Sequence, residues 1–138
     1  MAKVLLHRIG RPAEEITDPR VYRENRERME ILNQTLRERR AEVRAGWGPA
    51  YVDRVHAKGK LTTWERIEQL KDPGAAVFPI NTFVNYGIRF GDPPKTSPSA
   101  GVITAFLQIE GRWTVVIAND NTVASGSWWP LTPEKIQA

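Results

Sequence analysis

Small residues suited to a ligand site follow an apolar run near the end of the sequence. The stretch from Gly111 to Pro130 reads GRWTVVIANDNTVASGSWWP. Its β-branched segment Trp113 to Ala118 predicts a strand buried on both faces, and the turn-forming residues Asn119 to Asn121 follow it. Ala124 to Ser127 come next and are small enough to let a ligand approach the backbone. A buried strand, a small-residue turn and a helix start, here Thr132-Pro133-Glu134 with a capping hydroxyl, are typical of a ligand site in an α/β protein.

Side chains that could catalyse a reaction by themselves are sparse. The sequence contains no cysteine, which excludes disulfides, thiol catalysis and cysteine-ligated metals. Its two histidines, His7 and His56, are isolated, so we expect no metal site. We find no Ser-His-Asp set with supporting spacing and no glycine-rich phosphate loop with its lysine. Asp120, directly after the predicted strand, is a candidate catalytic carboxylate, but such an aspartate more often caps a turn.

Positive charge is concentrated in the first half of the chain. The 138 residues include 20 Lys and Arg and 16 Asp and Glu, a net charge of +4. Residues 1–71 hold 16 of the basic and 11 of the acidic residues, and therefore carry +5 against −1 for the rest. Two interpretations stay open: a solvated helical surface, or a surface for a polyanion such as nucleic acid or the phosphates of a nucleotide cofactor. Clustered aromatics and glycine-arginine repeats are absent from the sequence, so we expect no nucleic-acid partner.

The start of the chain shows no targeting pattern. No apolar stretch is long enough to span a bilayer, and MAKVLLHRIG has too short an apolar patch for a secretory signal. We therefore expect a cytoplasmic protein without direct membrane insertion. Residues 1–17 have no clear period, and we interpret them as an arm.

A long helix is predicted from Arg20 to Ala45. Asp18-Pro19 has the form of a helix start, and Gly46 the form of a helix end. The helix has an apolar stripe on an otherwise charged rod, formed by Tyr22, Met29, Leu32, Leu36 and Val43. Such a stripe lies on another surface, either of the same chain or of a partner.

Shorter elements follow. Ala50 to Ala57 predicts a short helix, and the capping box at Thr62 to Glu65 starts another, with Ile67 and Leu70 on its buried side and a stop at Asp72-Pro73-Gly74. Later strands are predicted at 77–80, 82–90 and 101–109. Glu110-Gly111 should form a tight hairpin turn, and 91–100, rich in proline, glycine and serine, a mobile loop.

Two groups of motifs carry a resemblance to a known family. Lys58 to Gly74 reads KGKLTTWERIEQLKDPG, and Gly101 onwards has GVIT before a hairpin, then VVIANDNT, then a small-residue turn before an aromatic residue and proline. This order, from Lys58 to Gln137, resembles the carboxyltransferase subunits of biotin-dependent acyl-CoA enzymes, the acyl-CoA carboxylase beta and glutaconyl-CoA decarboxylase alpha type. PINTFVN and SGSWWP are most similar to the glutaconyl-CoA decarboxylase type.

The resemblance implies an α/β fold, the opening portion of a crotonase-like carboxyltransferase domain preceded by the long helix. Residues 1–57 would be an N-terminal arm and helical region, and 58–138 the first part of the domain, incomplete without a companion chain. The activity implied is carboxyl transfer between carboxybiotin and an acyl-CoA thioester, in a carboxylase (a ligase) or a decarboxylase. The expected partners are a companion chain carrying glycine-rich loops and a biotin carrier, in a hetero-oligomer.

The resemblance also implies roles for individual residues. Those placed along CoA are Ala124, Ser125, Gly126, Lys58 and Lys60. We expect the two lysines to lie in an extended segment, where alternate side chains point to the same side, so that both ammonium groups can face one phosphate cluster. The alternative is that both are surface charges at a helix junction. Trp128 and Trp129 would wall the acyl pocket, although core packing is the alternative. No catalytic residue is expected, because the oxyanion-hole amides of the family come from loops later in its sequence. A noncatalytic assembly subunit that docks through the Tyr22–Val43 stripe is the alternative function.

Overall fold

The computed structural model describes residues 10–12 and 18–138, so most of the predicted arm, and His7, lie outside the described residues. The helices are α1 (Pro19–Arg44), α2 (Pro49–His56), α3 (Thr63–Leu70) and α4 (Thr132–Gln137). The strands are β1 (Phe78–Ile80), β2 (Arg89–Phe90), β3 (Lys95–Thr96), β4 (Val102–Ile109) and β5 (Arg112–Asn119). Short 3₁₀ turns span Pro98–Gly101 and Ala124–Gly126. The chain divides into two compact units, one up to Glu38 and one from Arg39 to Ala138.

The long helix is confirmed within one residue of its predicted ends. Asp18 accepts a hydrogen bond from the backbone N–H of Arg20 at 2.7 Å and so caps α1. Gly46 follows the helix with a φ of 59°, which glycine adopts without strain. In the first unit, the stripe residues Tyr22 and Met29 are more than half exposed. None of the helices in the described ranges has the length and apolarity needed to cross a membrane.

The second unit is built on an antiparallel sheet with the order β1-β4-β5. β4 and β5 form the predicted hairpin, with Ile109 opposite Arg112. Glu110 and Gly111 both have positive φ, 51° and 73°, as a two-residue type I′ turn requires. The carboxylate of Asp72 accepts the N–H groups of both turn residues, at 2.6 and 2.7 Å. The loop after α3 is thereby fixed to the hairpin turn.

The core lies between α3 and one face of the sheet. Ile67 of α3 packs with Ile103 and Leu107 of β4, all at most 4% exposed. Partly buried side chains surround them: Trp64, Val77, Ile109, Val116 and Ala118. The core therefore uses alternate residues of each strand, as a sheet with one covered face does.

The prediction that Trp113 to Ala118 is buried on both faces is wrong. Trp113, Val115 and Ile117 of β5 are 63%, 53% and 51% exposed, and only the residues between them turn towards the core. In the described chain α3 covers one face of the sheet, so an apolar run on an edge strand leaves half of its side chains uncovered. The more buried strand is the central β4.

Leu70, predicted on the buried side of α3, is 50% exposed. The helix ends at this residue and Lys71 continues in an extended conformation. Ile67, one turn earlier, is therefore the residue that reaches the core, as predicted.

Residues 91–100 do not form the mobile loop that their composition predicts. Lys95 and Thr96 pair with β2, and Ser97 and Ala100 are fully buried. The buried Asn85 donates to the Ser97 hydroxyl at 2.8 Å and to the Pro130 carbonyl at 2.7 Å. Polar side-chain and backbone pairing, which a count of apolar area omits, orders this segment.

The helix start at Thr132 is confirmed, but its hydroxyl does not cap the helix. Thr132 Oγ1 instead donates to the Ala100 carbonyl at 2.6 Å and accepts from the Trp129 N–H at 2.9 Å. The fully buried hydroxyl thus joins α4 to the 3₁₀ turn before β4.

The capping box predicted at Thr62 to Glu65 is present and includes a further partner. The Thr62 N–H donates to Glu65 Oε2 at 2.7 Å, and the Glu65 N–H donates to Thr62 Oγ1 at 3.3 Å. His56 Nε2 lies 2.9 Å from Glu65 Oε2. The hydrogen bond with His56, followed by those from Thr62, lowers the pKa of Glu65 from 4.5 to about 2.

We expect this cap to stabilise the chain above pH 4.5 and to be lost as the pH falls towards about 2. Above 4.5 the carboxylate is charged whether the chain is folded or unfolded. Below it, the unfolded chain takes up a proton first, so the contribution of the cap declines. Thermal unfolding of the wild type and Glu65→Gln, followed by circular dichroism between about pH 6 and pH 2, measures this. The stability difference between them should shrink as the pH falls.

Asp53→Asn, which removes an exposed carboxylate from α2, is the control and should keep the wild-type decline. A difference between wild type and Glu65→Gln that does not change with pH would contradict this role of the cap.

Candidate functional site

Four hydrogen bonds join the start of α3 to the end of β5. Asn121 Oδ1 accepts the Thr63 N–H at 3.0 Å, and Asn121 Nδ2 donates to the Leu61 carbonyl at 2.9 Å. Thr63 Oγ1 donates to the Asn119 carbonyl at 2.8 Å and accepts the Asn121 N–H at 3.0 Å. We call these four bonds the Thr63–Asn121 lock. It brings the two motif-bearing halves of the sequence together.

The small-residue turn lies beside this lock. A Cβ atom added to Gly126 would be 3.7 Å from Asn119 Cβ and 4.0 Å from Asn121 Cα. Ser125 and Gly126 both have positive φ, 57° and 87°, and Ser125 is exposed. There is thus room for a side chain at Gly126, but its backbone conformation would be strained by any other residue. The turn presents a short polar surface next to the end of β5.

Lys58 and Lys60 are exposed on the other side of the lock, directly before Leu61. Their backbone N–H groups both donate to the Val55 carbonyl, at 3.2 and 3.3 Å, around Gly59 with a φ of 65°. The segment is therefore part of a turn that follows α2, and the prediction that it is extended is wrong. A glycine with a positive φ reverses the chain after a helix. The two lysine side chains are therefore not related as alternate residues of a strand are.

The two predicted pocket tryptophans have different surroundings. Trp128 is 63% exposed. The ring of Trp129 packs against those of Trp47 and Phe90, with centroids 5.9 and 6.0 Å apart. Trp47 is itself fixed by a 2.7 Å hydrogen bond from its Nε1 to the Thr96 carbonyl. Trp129 thus has the packing role that sequence reasoning left open, and Trp128 is the one available to a ligand.

Asp120 has the structural role expected of an aspartate after a strand. It is 4% exposed and accepts the Thr122 N–H at 2.9 Å and the Thr122 hydroxyl at 2.7 Å. Burial raises the pKa of this carboxyl group. Nearby, Lys135 Nζ donates to the carbonyls of Ser99 and Val102 and contacts the Ser99 hydroxyl. Burial lowers the pKa of Lys135 to about 8, although the Asp120 carboxylate opposes this shift.

A cleft of about 380 Å³ opens elsewhere in the second unit. Trp64, Ile80 and Ile103 give it apolar walls, and Arg40 and Arg44 lie at its lining together with the buried Asp120. The Arg44 guanidinium stacks 4.3 Å from the centre of the Trp64 ring. None of the residues predicted to contact CoA or the acyl group lines this cleft.

Sequence reasoning missed the two arginines and both ends of the lock. The i, i+4 spacing of Arg40 and Arg44 places them on one side of α1, but many charged pairs on that helix share this spacing. Thr63 and Asn121 could be identified as cap and turn residues, yet nothing local shows that they bind each other. The part of the chain that the structure describes contains no group of three His, Cys, Asp or Glu side chains placed to hold a metal ion.

Comparison with known proteins gives the family of this fold and site. The sequence model of the family described as carboxyl transferase domain matches residues 54–138. The methylmalonyl-CoA decarboxylase subunit alpha of Veillonella parvula is 36% identical over 111 residues, which are 80% of this chain and 21% of the relative. The propionyl-CoA carboxylase beta chain of Cereibacter sphaeroides is 38% identical over 109 residues, covering 78% of this chain and 21% of the relative.

Solved structures agree with these sequence matches. The transcarboxylase 12S hexamer with methylmalonyl-coenzyme A and methylmalonic acid bound superposes with a TM-score of 0.63 and 33% identity. The superposition covers 72% of this chain and 19% of the 12S chain. This chain thus spans about a fifth of the length of the relatives it matches. From the match over residues 54–138 and the shared crotonase-like fold, the chain belongs to the carboxyl transferase domain family, as its motifs predict.

Proposed function

We propose that this chain is one part of an acyl-CoA carboxyltransferase that moves a carboxyl group between carboxybiotin and an acyl-CoA. The observation that carries the proposal is the family match over residues 54–138. The chain spans about a fifth of the length of its relatives, and in this proposal the remaining part of the domain lies on a companion chain. That companion carries the glycine-rich loops whose backbone amides stabilise the developing oxyanions. A separate carrier brings the biotin, and the assembly is a hetero-oligomer in the cytoplasm.

Within this enzyme, the segments beside the Thr63–Asn121 lock contact the CoA. Lys58 and Lys60 offer exposed cationic groups for its phosphates. Ala124, Ser125 and Gly126 offer a surface with little side-chain bulk, and the Gly126 backbone lies against Asn119 and Asn121. The lock supports the proposal because it joins Leu61, the neighbour of Lys60, to Asn121, three residues before Ala124. We assign no residue of this chain to the biotin ring.

Trp128 is the residue that we place at the acyl pocket. Its ring is largely exposed beside the small-residue turn, so it offers apolar surface to a ligand or to the companion. Trp129 contributes indirectly: its ring packs against Trp47 and so holds the backbone next to Trp128. The division into a helical region, 1–57, and a first domain part, 58–138, is also a proposal, which the match beginning at residue 54 supports.

A noncatalytic assembly subunit is the second candidate. It is favoured by the stripe on α1, where Tyr22, Met29 and Leu32 are 52%, 53% and 55% exposed. Apolar side chains so exposed along one helix face are suited to a partner surface. The two functions differ in whether the companion needs this chain for carboxyl transfer or only for assembly.

The first test is reconstitution. We expect the companion chain alone to have no carboxyltransferase activity, and the mixture to transfer a labelled carboxyl group from an acyl-CoA to free biotin. The physical reason is that the CoA site and the oxyanion amides lie on different chains. Transfer of radiolabel to biotin from methylmalonyl-CoA labelled in its free carboxyl group measures it, and propionyl-CoA is the product left behind. Full activity of the companion without this chain would favour the assembly role.

A second prediction concerns the two lysines. We expect the Lys58→Ala and Lys60→Ala double variant to weaken CoA binding by the assembled enzyme several-fold. A partly screened pair between an ammonium group and a phosphate contributes on the order of 1 kcal/mol. The loss should be smaller at high salt, where the pairing is already weakened. Isothermal titration with CoA and with dephospho-CoA measures it and reports which phosphate is involved.

The matched control is Arg112→Ala. Arg112 is exposed at the hairpin turn, and the length of β5 separates it from Asn119 by roughly 24 Å at about 3.4 Å per residue. The assembled enzyme with Arg112→Ala should bind CoA as the wild type does. If the double variant loses binding equally for both ligands, the lysines contact the diphosphate, and if it loses none they are ordinary surface charges.

A further inference from the structure

The face of the sheet opposite α3 carries several large, exposed apolar side chains. Phe78 of β1 lies opposite Phe106 of β4, which lies opposite Val115 of β5, so the three share one face. They are 51%, 42% and 53% exposed. Trp113 and Ile117 flank Val115 on the same face, since side chains of a strand alternate. The rings of Phe78 and Trp113 approach to 5.9 Å between centroids, which closes the surface across β4. We call these five residues the open sheet face.

The outer edge of β5 is free along the same residues. Ile109 and Arg112 flank a two-residue turn, and such a flanking pair exchanges both of its backbone hydrogen bonds. Every second residue of β5 from Arg112 onward therefore makes backbone hydrogen bonds to β4, as Thr114 and Val116 do. The N–H and C=O groups of the residues between them, Trp113, Val115 and Ile117, point away from β4. Within the described residues, β5 has β4 as its one neighbour, and no other backbone hydrogen bond reaches these three residues.

Trp113, Val115 and Ile117 expose both their apolar side chains and their unpaired backbone groups, and this combination favours one kind of partner. Five large apolar side chains exceed the scattered exposure of a stable monomer's surface. An unpaired strand beside them is a template for one more strand. A partner that adds a strand at β5 would pair the free edge, and an apolar layer of the same partner over Val115 would cover the exposed side chains. The strand residues Trp113 to Asn119 include no charged side chain that would oppose this.

We propose that the open sheet face is where the companion chain docks, adding a strand to β5 and covering Phe78, Phe106, Trp113, Val115 and Ile117. This inference rests on the proposed function for the existence of the companion. The occupant is a second polypeptide that carries the remaining part of a carboxyl transferase domain. The comparisons supply the argument for it, because the relatives place about four fifths of their length outside the matched part.

The test uses the full chain and a family member from the same organism that lacks the part matched by residues 54–138. In the complex, amide hydrogen exchange at Trp113, Val115 and Ile117 should slow at least about tenfold relative to the free chain. The amides of Thr114 and Val116, already bonded to β4, should change less. This measurement needs no variant, so it does not depend on how a substitution affects folding.

Three substitutions at one position separate the edge from the face. Val115→Lys places a charge in the apolar layer and should weaken binding of the companion at least about tenfold. Val115→Pro removes an outward N–H without removing a bond to β4 and should weaken it to a similar degree. Val115→Ala keeps the N–H and should have the smallest effect. Leu70→Lys is the matched control: Leu70 is 50% exposed but lies on α3, so its binding should equal that of the wild type. Circular dichroism verifies that each variant is folded.

Four results would overturn the proposal. They are the absence of such a family member from the organism, wild-type binding by both Val115→Lys and Val115→Pro, unchanged exchange at the three outer amides, and occupation of the face by a second copy of this chain when the companion is present. The proposed function fails separately. A complex that depends on Val115 but transfers no carboxyl group would support the docking surface and contradict the proposed function. An active complex whose formation does not depend on Val115 would support the function and contradict the docking surface.

Discussion

The Thr63–Asn121 lock is the constraint on which the second unit depends. Its four hydrogen bonds join residues 56 to 60 positions apart. Thr63 is 6% exposed, so leaving its hydroxyl or N–H without a partner would cost about 1–3 kcal/mol each. The lock sets where α3 begins, the capping box of Thr62 and Glu65 sets its direction, and Ile67 then reaches Leu107. One face of the sheet is covered as a result, and the turn after β5 is held at its end.

Elements whose causes are local could be predicted from the sequence. Asp18-Pro19 starts α1, Thr62 and Glu65 start α3, and Glu110-Gly111 closes the hairpin, each through interactions within a few residues. The same holds for the family motifs, because each is a short run of residues. The extended geometry assumed for Lys58 and Lys60 is wrong, because Gly59 lies in a turn that follows a helix there.

Elements whose causes are distant could not be predicted. The segment 91–100 is ordered by Asn85, which bonds to Ser97, 12 residues away, and to Pro130, 45 residues away. Thr132 caps nothing because Ala100 offers its hydroxyl a buried acceptor. The burial of β5 is a different case. An apolar run indicates that a surface will be covered, but its period does not say whether this chain or another covers it. Val115 and Ile117 are therefore exposed despite a sequence typical of a core strand.

The lock and the open sheet face both involve β5, and this has a consequence for how the candidate site is assembled. α3 lies on the core side of the sheet, through Ile67, whereas Trp113 and Val115 project from the other side. Because a partner that binds the folded chain alone stabilises it, docking on the open sheet face would also hold Asn119, the last residue of β5, whose carbonyl accepts a hydrogen bond from Thr63 in the lock. In such an arrangement the order of the ligand site is coupled to assembly through a single strand.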